Sequence, residues 1–291
     1  MSVIALTSAH ASGVTVSSLA LALSGARPSL LAECDAKGGS IRTGYRMGEW
    51  GGEVGLWHLA QADREGKLPE AFEAHLRRLD TNGARLWLPG LTDPMQAAAL
   101  ADTWEPLGLL LQAMDQHAGY DVVVDAGRVV VEPGAVHPSL CPRPLLHRAD
   151  LVLLVVRTTL TSVAQTRPVA QFLKSELEQR GSGADALRLL LVKEGDVPEH
   201  EITRRLEVPV IGSLPWEEKA GRLLTHGTTR PVKAGSMRLF KHARQAAHAA
   251  QVDASTRRLR MQLPPPAVAS PVVAGVVQRL LAPQQEVKIS G

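Results

Sequence analysis

A short loop rich in small residues stands near the start of the chain, where it could hold a phosphate group. The apolar run over 3–8 is typical of a buried strand, and the run over 19–23 indicates the start of a helix. The loop between them contains Gly13 and would bring backbone amides to a helix N-terminus, a place where phosphate binds. The order strand, loop and helix therefore predicts a nucleotide site.

The loop lacks two residues that phosphate chemistry usually needs. The pattern G-x-x-x-x-G-K-[ST] has a second glycine and a lysine, whereas this loop has Gly13 alone and no lysine. Such a lysine neutralises the β and γ phosphates during transfer. The sequence thus leaves open whether the chain hydrolyses a nucleotide. Arg42, Arg46 or an arginine of a partner could supply the missing charge.

The composition is that of a soluble protein with one large core. The 291 residues are 45% hydrophobic and carry a net charge of +3, which permits contact with DNA or an anionic membrane without requiring it. Cys34 and Cys141 have no metal-ligand spacing, and the histidines form no ligand pair, so a zinc site is not expected. With no membrane-spanning run and no charged signal-peptide start, we predict a cytoplasmic protein.

Apolar runs alternate with helix-like segments along the chain, which predicts βαβ units and a mainly parallel sheet. Right-handed crossovers would place the helices on both faces of this doubly wound α/β sheet. The predicted strands cover 3–7, 29–33, 84–88, 122–125, 151–156, 187–192 and 210–212. The predicted helices cover 17–23, 68–76, 95–99, 103–117, 162–179, 200–205, 219–224 and 236–259.

Three consecutive prolines, 264–266, end the last predicted helix, because proline removes a helix donor. We therefore predict one domain over 1–262 and a flexible, proline-rich tail over 263–291. Within the tail, valines and leucines recur at helical spacing over 272–281, which predicts a short amphipathic segment. This segment could meet a membrane surface, dock on a partner protein or remain disordered.

The loop and four further motifs resemble, in order, those of the SIMIBI-class ParA/MinD-type P-loop ATPases with a deviant phosphate loop. The family motif G-K-G-G-V-G-K-T-T corresponds here to the segment 9–17, a degenerate Walker A loop. One alignment puts His10 and Thr15 near the two lysine positions. The other matches Gly13-Val14-Thr15 to the glycine and the residues after it. Both lysines are absent from the loop in either alignment.

Acidic residues follow two of the predicted strands at positions that the family uses. The segment 31–39 (LAECDAKGG) resembles L-I-D-A-D-P-Q-G, with Glu33 and Asp35 at its two acidic positions. The segment 120–127 (YDVVVDAG) resembles Y-D-Y-V-I-I-D-T, with Asp125 as the acid that ends the strand. In the family these acids lie near the magnesium ion and the attacking water.

Two later segments also resemble the family. The segment 149–156 (ADLVLLVV) is similar to A-D-x-V-L-L-V-V, and 208–217 (VPVIGSLPWE) is similar to V-P-V-L-G-x-I-P-x-D, whose proline lies by the adenine. Lys193 departs from the pattern, because the family often has a base-contacting asparagine there.

The resemblance implies ATP and Mg²⁺ as cofactors and a defined set of site residues. Asp35 would be the catalytic residue, and the magnesium site would include Ser17, Glu33 and Asp125. The nucleotide would contact Ser12, Gly13, Val14, Thr15, Ser17, Ser18, Pro215 and Glu217.

The resemblance also implies a nucleotide-controlled switch, in which an ATP-bound homodimer forms on DNA or on the inner membrane and a protein partner stimulates its release. We predict a positioning or regulatory protein that localises DNA, division machinery, or pilus and secretion machinery. TadZ/CpaE-like proteins are relatives with atypical phosphate loops. The predicted location is the cytoplasm, with peripheral contact at the membrane or the nucleoid.

Two other functions remain open. The first is a catalytically inactive scaffold that keeps the fold and recruits a protein partner. The second is a non-specific DNA-binding protein that would use the basic residues of the last helix. These are Arg238, Lys241, Arg244, Arg257, Arg258 and Arg260.

Overall fold

Eight strands form the central sheet in the computed structural model, which describes residues 2–132, 135–229 and 234–261. The strands of this sheet are β1 (Val3–Ser8), β2 (Ser29–Glu33), β3 (Arg77–Arg78), β4 (Arg85–Leu88), β5 (Asp121–Arg128), β8 (Leu151–Arg157), β9 (Leu187–Lys193) and β10 (Val210–Pro215). Two short strands, β6 (Val131–Glu132) and β7 (Ala135–Val136), pair antiparallel apart from it.

The strand order is β10-β9-β8-β1-β5-β2-β4-β3, and all neighbours are parallel except β3, which runs antiparallel to β4. The chain runs from β1 to one side of the sheet and later returns to the other side with β8. The carboxyl ends of β1 and its neighbours therefore flank a topological switch point, where open α/β sheets bind ligands.

The middle of the sheet is buried on both faces, as the composition of β8 illustrates. The residues of 151–156 are fully buried leucines and valines. Because side chains alternate along a strand, Val152 and Leu154 join one apolar cluster while Leu151 and Leu153 join the other. Such a two-sided apolar strand needs helices over both faces.

The helices cover the two faces unequally. One face carries α1 (Val14–Ser24), α8 (Glu218–His226) and α9 (Arg238–Met261). The other carries α2 (Leu56–Arg64), α3 (Leu68–Phe72), α4 (Trp104–Gln116), α5 (Arg143–Arg148), α6 (Leu160–Arg180) and α7 (Glu199–Leu206). The predicted doubly wound α/β fold is thus confirmed.

Several short elements differ from the prediction. The segment 68–76 is not one helix: α3 ends at Phe72, a 3₁₀ turn covers Glu73–His75, and Leu76 is already extended toward β3. The segment predicted over 95–99 is a 3₁₀ helix over Pro94–Leu100. Helices α2 and α5 and the strands β3, β6 and β7 had no prediction. Helix α5 and the strands β3, β6 and β7 are too short to show a periodic pattern of apolar residues.

The predicted tail lies outside the described residues. Helix α9 ends at Met261, so the boundary at 262 and the amphipathic segment over 272–281 stay predictions. Within the described ranges, no helix combines the length and the apolar character that crossing a membrane requires.

Candidate functional site

The loop between β1 and α1 has the local geometry of a phosphate loop at its helical end. Gly13 precedes α1 directly and is left-handed, with φ 85° and ψ 36°. A Cβ at this position would meet no atom within 4 Å, so backbone conformation rather than space favours glycine. The first helical hydrogen bond runs from the N–H of Ser17 to the carbonyl of Gly13, at 2.9 Å.

This geometry favours one of the two alignments. Gly13 is the residue at which the loop turns into the helix, as the glycine before the lysine does in the pattern G-x-x-x-x-G-K-[ST]. Val14 then stands at the lysine position and Thr15 at the hydroxyl position. The Val14 side chain is buried in the apolar cluster that contains Ile4 and Leu6. The start of α1 therefore presents no cation to a ligand.

Asp125 lies behind the loop, fully buried near the end of β5. Its Oδ1 accepts a hydrogen bond from the N–H of Gly127 at 3.0 Å. Burial raises the pKa of Asp125 to about 7, the Thr15 side chain opposes this shift, and the charges of Glu33 and Asp35 add to it. A cation bound near Asp125 would shift this carboxyl toward its ionised form.

Glu33 is held by donors from the segment after β2, from β4 and from the segment after β4. Its Oε1 accepts from the N–H of Ile41 at 2.9 Å, and its Oε2 accepts from the N–H of Gly90 at 3.0 Å and from the indole of Trp87 at 3.2 Å. These bonds engage both carboxylate oxygens and fix the segments that follow β2 and β4. The magnesium role of Glu33 stays a prediction.

Asp35 lies against Gly127. Its Oδ1 accepts from the N–H of Lys37 at 2.9 Å, and burial raises its pKa. Gly127 has φ 61°, and a Cβ there would overlap the Asp35 carboxylate, so only glycine permits this approach. No group of three or more His, Cys, Asp or Glu side chains in the described ranges could hold a metal ion. A magnesium ion here would depend on the phosphates of a nucleotide for ligands.

A cavity of about 470 Å³ opens beside the loop. Its walls come from the loop and the first turn of α1, the carboxyl ends of β8, β9 and β10, helix α8 and the start of α9. Its volume falls in the range of small-molecule sites, roughly 300–1,000 Å³. Of the predicted nucleotide contacts, Ser12, Gly13, Ser17, Pro215 and Glu217 line this cavity, while Val14, Thr15 and Ser18 do not.

The polar groups of the cavity differ in how far the protein satisfies them. Glu217 accepts a hydrogen bond from the N–H of Leu239 at 2.8 Å, and Glu218 pairs with Arg222 at 2.8 Å. Ser12 is 1% exposed, and its hydroxyl has no hydrogen-bond partner within the part of the chain that the structure describes. A ligand in the cavity would satisfy this buried hydroxyl.

Among the cavity residues that the sequence analysis did not predict are an arginine and a tryptophan in contact with each other. Arg157 ends β8, one position beyond the motif segment 149–156, and Trp216 follows Pro215 inside the last motif. The guanidinium carbon of Arg157 lies 5.3 Å from the ring centroid of Trp216. Their positions next to two family motifs were a signal in the sequence, but the motifs do not specify these residue types.

The arginines suggested for the missing charge lie elsewhere. Arg42 donates to the carbonyls of Gly51 and Val54, and Arg46 pairs with Glu49. Neither lines the cavity. Both arginines make their contacts within the loop that follows β2 and are not placed to contact a ligand at Gly13.

Three basic residues of α9 make structural contacts instead of forming a free basic face. Arg257 is 3% exposed and pairs with Asp185 at 2.7 Å. Arg258 pairs with Asp115 at 2.7 Å and also with Asp150. Arg244 donates to the carbonyl of Ser24 at 3.2 Å. These contacts attach α9 to the domain and remove three of the six cations from the DNA surface suggested by the sequence.

Solved structures of MinD and ParA ATPases have the same fold. The MinD cell division protein of Aquifex aeolicus is 17% identical, with a TM-score of 0.61 over 87% of this chain and 97% of that chain. A ParA family ATPase of Chlorobium tepidum is 15% identical, with a TM-score of 0.58 over 85% and 97%. The septum site-determining protein MinD of Pyrococcus horikoshii, complexed with Mg-ADP, is 16% identical, with a TM-score of 0.59 over 88% and 98%.

No protein-family model matches the chain, and the comparison with curated proteins gives no match. At 15–17% identity, the structural likeness establishes the fold. It agrees with the fold that the motifs predicted.

Proposed function

We propose that this chain is a ParA/MinD-type positioning protein that binds ATP in the cavity beside Gly13. The observation that carries the proposal is the cavity itself. It joins the loop before α1 to Pro215, so the segment expected to hold phosphate and the segment expected to lie by the base share one space. The unpaired hydroxyl of Ser12 is available to such a ligand.

The residues present fit a nucleotide in a defined direction. The phosphates would lie against the backbone of the loop and the N-terminus of α1, where amides and the helix dipole favour an anion. The base would lie toward Pro215, at the carboxyl end of β10. Ser17, one turn into α1, also lines the cavity.

Magnesium would neutralise phosphate charge at the side of the loop that faces Asp125. Asp125 and Thr15 interact there, and a carboxylate with a hydroxyl is a donor set that suits Mg²⁺ when phosphates complete it. Thr15 is the better candidate for this role, because its side chain interacts with the Asp125 carboxyl. Glu33 would act on the magnesium ion through water and not by direct contact, since its oxygens already accept three hydrogen bonds.

Hydrolysis is proposed to be slow. The buried Val14 removes the cation that other phosphate loops use to stabilise the transition state. Asp35, at the end of β2, is proposed to orient the attacking water. Nucleotide occupancy rather than rapid turnover would then control the protein.

The proposed output is a homodimer that forms with ATP and recruits a protein partner. The neighbouring structures support the type of cofactor and of partner: one is MinD with Mg-ADP, and another is a MinC:MinD complex from Aquifex aeolicus. We propose a cytoplasmic protein that meets the inner membrane or the nucleoid as a dimer. The partner and the cargo are those of a localisation system for DNA, division, or pilus and secretion machinery.

A second candidate function is a scaffold that no longer binds nucleotide. The burial of Val14 at the lysine position favours the scaffold function. Valine in place of the family's lysine removes a positive charge, and its side chain still packs in the apolar core. The scaffold would keep the dimer surface and recruit a partner without a switch.

Calorimetric titration with ATP and ADP, with and without Mg²⁺, separates these two functions when it is combined with the mass in solution. Micromolar, Mg²⁺-dependent ATP binding and a change from monomer to dimer are expected. Absence of binding at millimolar nucleotide would contradict the proposal and favour the scaffold.

A further inference from the structure

The cation missing from the loop has a counterpart on a neighbouring strand. Two positively charged side chains, Arg157 and Arg222, line the cavity within the part of the chain that the structure describes. Arg222 is 75% exposed and pairs with Glu218 one turn earlier on the same helix. Arg157 approaches the cavity from the sheet, so it is the better candidate for holding an anion at the loop.

The sheet places Arg157 beside the loop. Strands β1 and β8 are parallel neighbours, with Thr7 opposite Leu154, so the end of β8 lies next to the start of the loop after β1. Burial lowers the pKa of His10 in that loop, and the charges of Arg157 and Arg128 lower it further. Arg157 and Ser12 line the same cavity.

The guanidinium is only partly committed to its present contacts. It lies over the ring of Trp216, and its Nη1 is 3.1 Å from the carboxylate of Glu194. Its Nε is buried and has no hydrogen-bond partner in the described ranges. The pair with Glu194 is about 30% exposed on both sides, and such pairs are weak. A polyanion entering the cavity would therefore compete well for this arginine.

We propose that Arg157 binds the phosphates of the nucleotide in place of the absent lysine, and that Glu194 competes with the nucleotide for this arginine. The inference rests on the proposed function. An arginine suits the role because its planar fork can donate two parallel hydrogen bonds to a phosphate. In the free protein Glu194 occupies one branch of this fork, and Trp216 covers its face.

Calorimetry on the full chain with three variants tests the assignment, with Mg-ATP, inorganic tripolyphosphate and adenosine as probes. Arg157→Gln removes the charge and keeps much of the side-chain volume. Glu194→Gln removes the competing carboxylate. Arg148→Gln is the matched control, because Arg148 is similarly exposed and also pairs with one glutamate, Glu105. Arg148 precedes the amino end of β8, whereas Arg157 ends that strand.

The expected pattern separates phosphate binding from base stacking. Arg157→Gln should weaken Mg-ATP and tripolyphosphate by about tenfold to hundredfold, the range for a hydrogen bond to a charged group, and leave adenosine unchanged. Glu194→Gln should tighten both anions severalfold, and Arg148→Gln should change none of the three. Thermal unfolding shows whether each variant is folded. If Arg157→Gln does not fold, the anion affinity of Glu194→Gln still tests the inference.

Three outcomes would overturn the assignment. Unchanged tripolyphosphate affinity in Arg157→Gln would show that the arginine does not hold phosphate. A loss confined to adenosine would make it a base-stacking residue, and weaker anion binding in Glu194→Gln would contradict the competition. If the wild-type protein binds no nucleotide, the proposed function fails as well, whereas wild-type binding with an unaffected Arg157→Gln variant overturns the arginine assignment alone.

Discussion

Replacing Asp125 with asparagine should make the protein more stable, and increasingly so as the pH rises. Burial raises the pKa of this carboxyl from 3.8 to about 7. The folded state therefore favours the protonated form, and the wild-type protein loses stability between pH 4 and pH 7 as the unfolded chain ionises more readily. Asparagine cannot ionise, and its Oδ1 can still accept from the N–H of Gly127.

The expected size follows from the shift. A difference of about three pKa units, at 1.36 kcal/mol each, is about 4 kcal/mol. The free energy of unfolding of Asp125→Asn, minus that of the wild type, should grow by about this amount from pH 4 to pH 8. Urea unfolding at several pH values, without nucleotide, measures it, because the other titrating groups contribute almost equally to both proteins.

Asp185→Asn provides a matched control. Arg257 lowers the pKa of Asp185, so this carboxyl is ionised in the folded state throughout pH 4–8, and its variant should differ from the wild type by a nearly constant amount. If the difference for Asp125→Asn were equally constant, the carboxyl would have an ordinary pKa. The account of a buried, cation-accepting Asp125 behind the loop would then be refuted.

Three further predictions concern the site and the last helix. Mg-ATP affinity should fall about tenfold from pH 8 to pH 6, because Mg²⁺ requires the ionised Asp125 carboxyl. The fall should be smaller in Asp125→Asn, and equal slopes of affinity against pH in calorimetry would contradict this. Gly13→Ala should destabilise the protein by about 1–2 kcal/mol through its left-handed backbone, with an unchanged urea midpoint as the contrary result. Arg257→Met should lower the free energy of unfolding by about 2–3 kcal/mol, because charged hydrogen bonds are lost. The control Arg260→Met, at an exposed position, should lower it by less than about 0.5 kcal/mol, and similar losses would contradict a structural role for Arg257.

The fold was predictable because its signal is periodic and local. A strand such as 151–156 contains only leucine and valine, and the segments around it repeat the same alternation with helices. The short elements carried no such period. Helix α5 has six residues and β3 has two, so neighbouring contacts rather than propensity determine them.

The candidate site was predictable in its backbone and less so in its side chains. The glycine before α1 and the proline that ends β10 follow from motif order, and the structure brings Gly13 and Pro215 to one cavity. The pairing of Arg157 with Trp216 depends on how β8 and β10 lie relative to each other, which no local pattern specifies. The three donors around Glu33 come from segments eight or more residues away, so their convergence could not be inferred either.

Calorimetric titration of Mg-ATP into Gly221→Leu, in parallel with the wild type, tests the central claim most directly. Gly221 lies in α8 at the cavity wall, and a Cβ there would meet no atom within 4 Å. Leucine in place of a helical glycine should therefore fill part of the cavity and stabilise the fold by about 0.5–1 kcal/mol. The wild type should bind ATP, and this variant should bind it more weakly. Equal binding by both proteins would place the nucleotide outside the cavity and contradict the account.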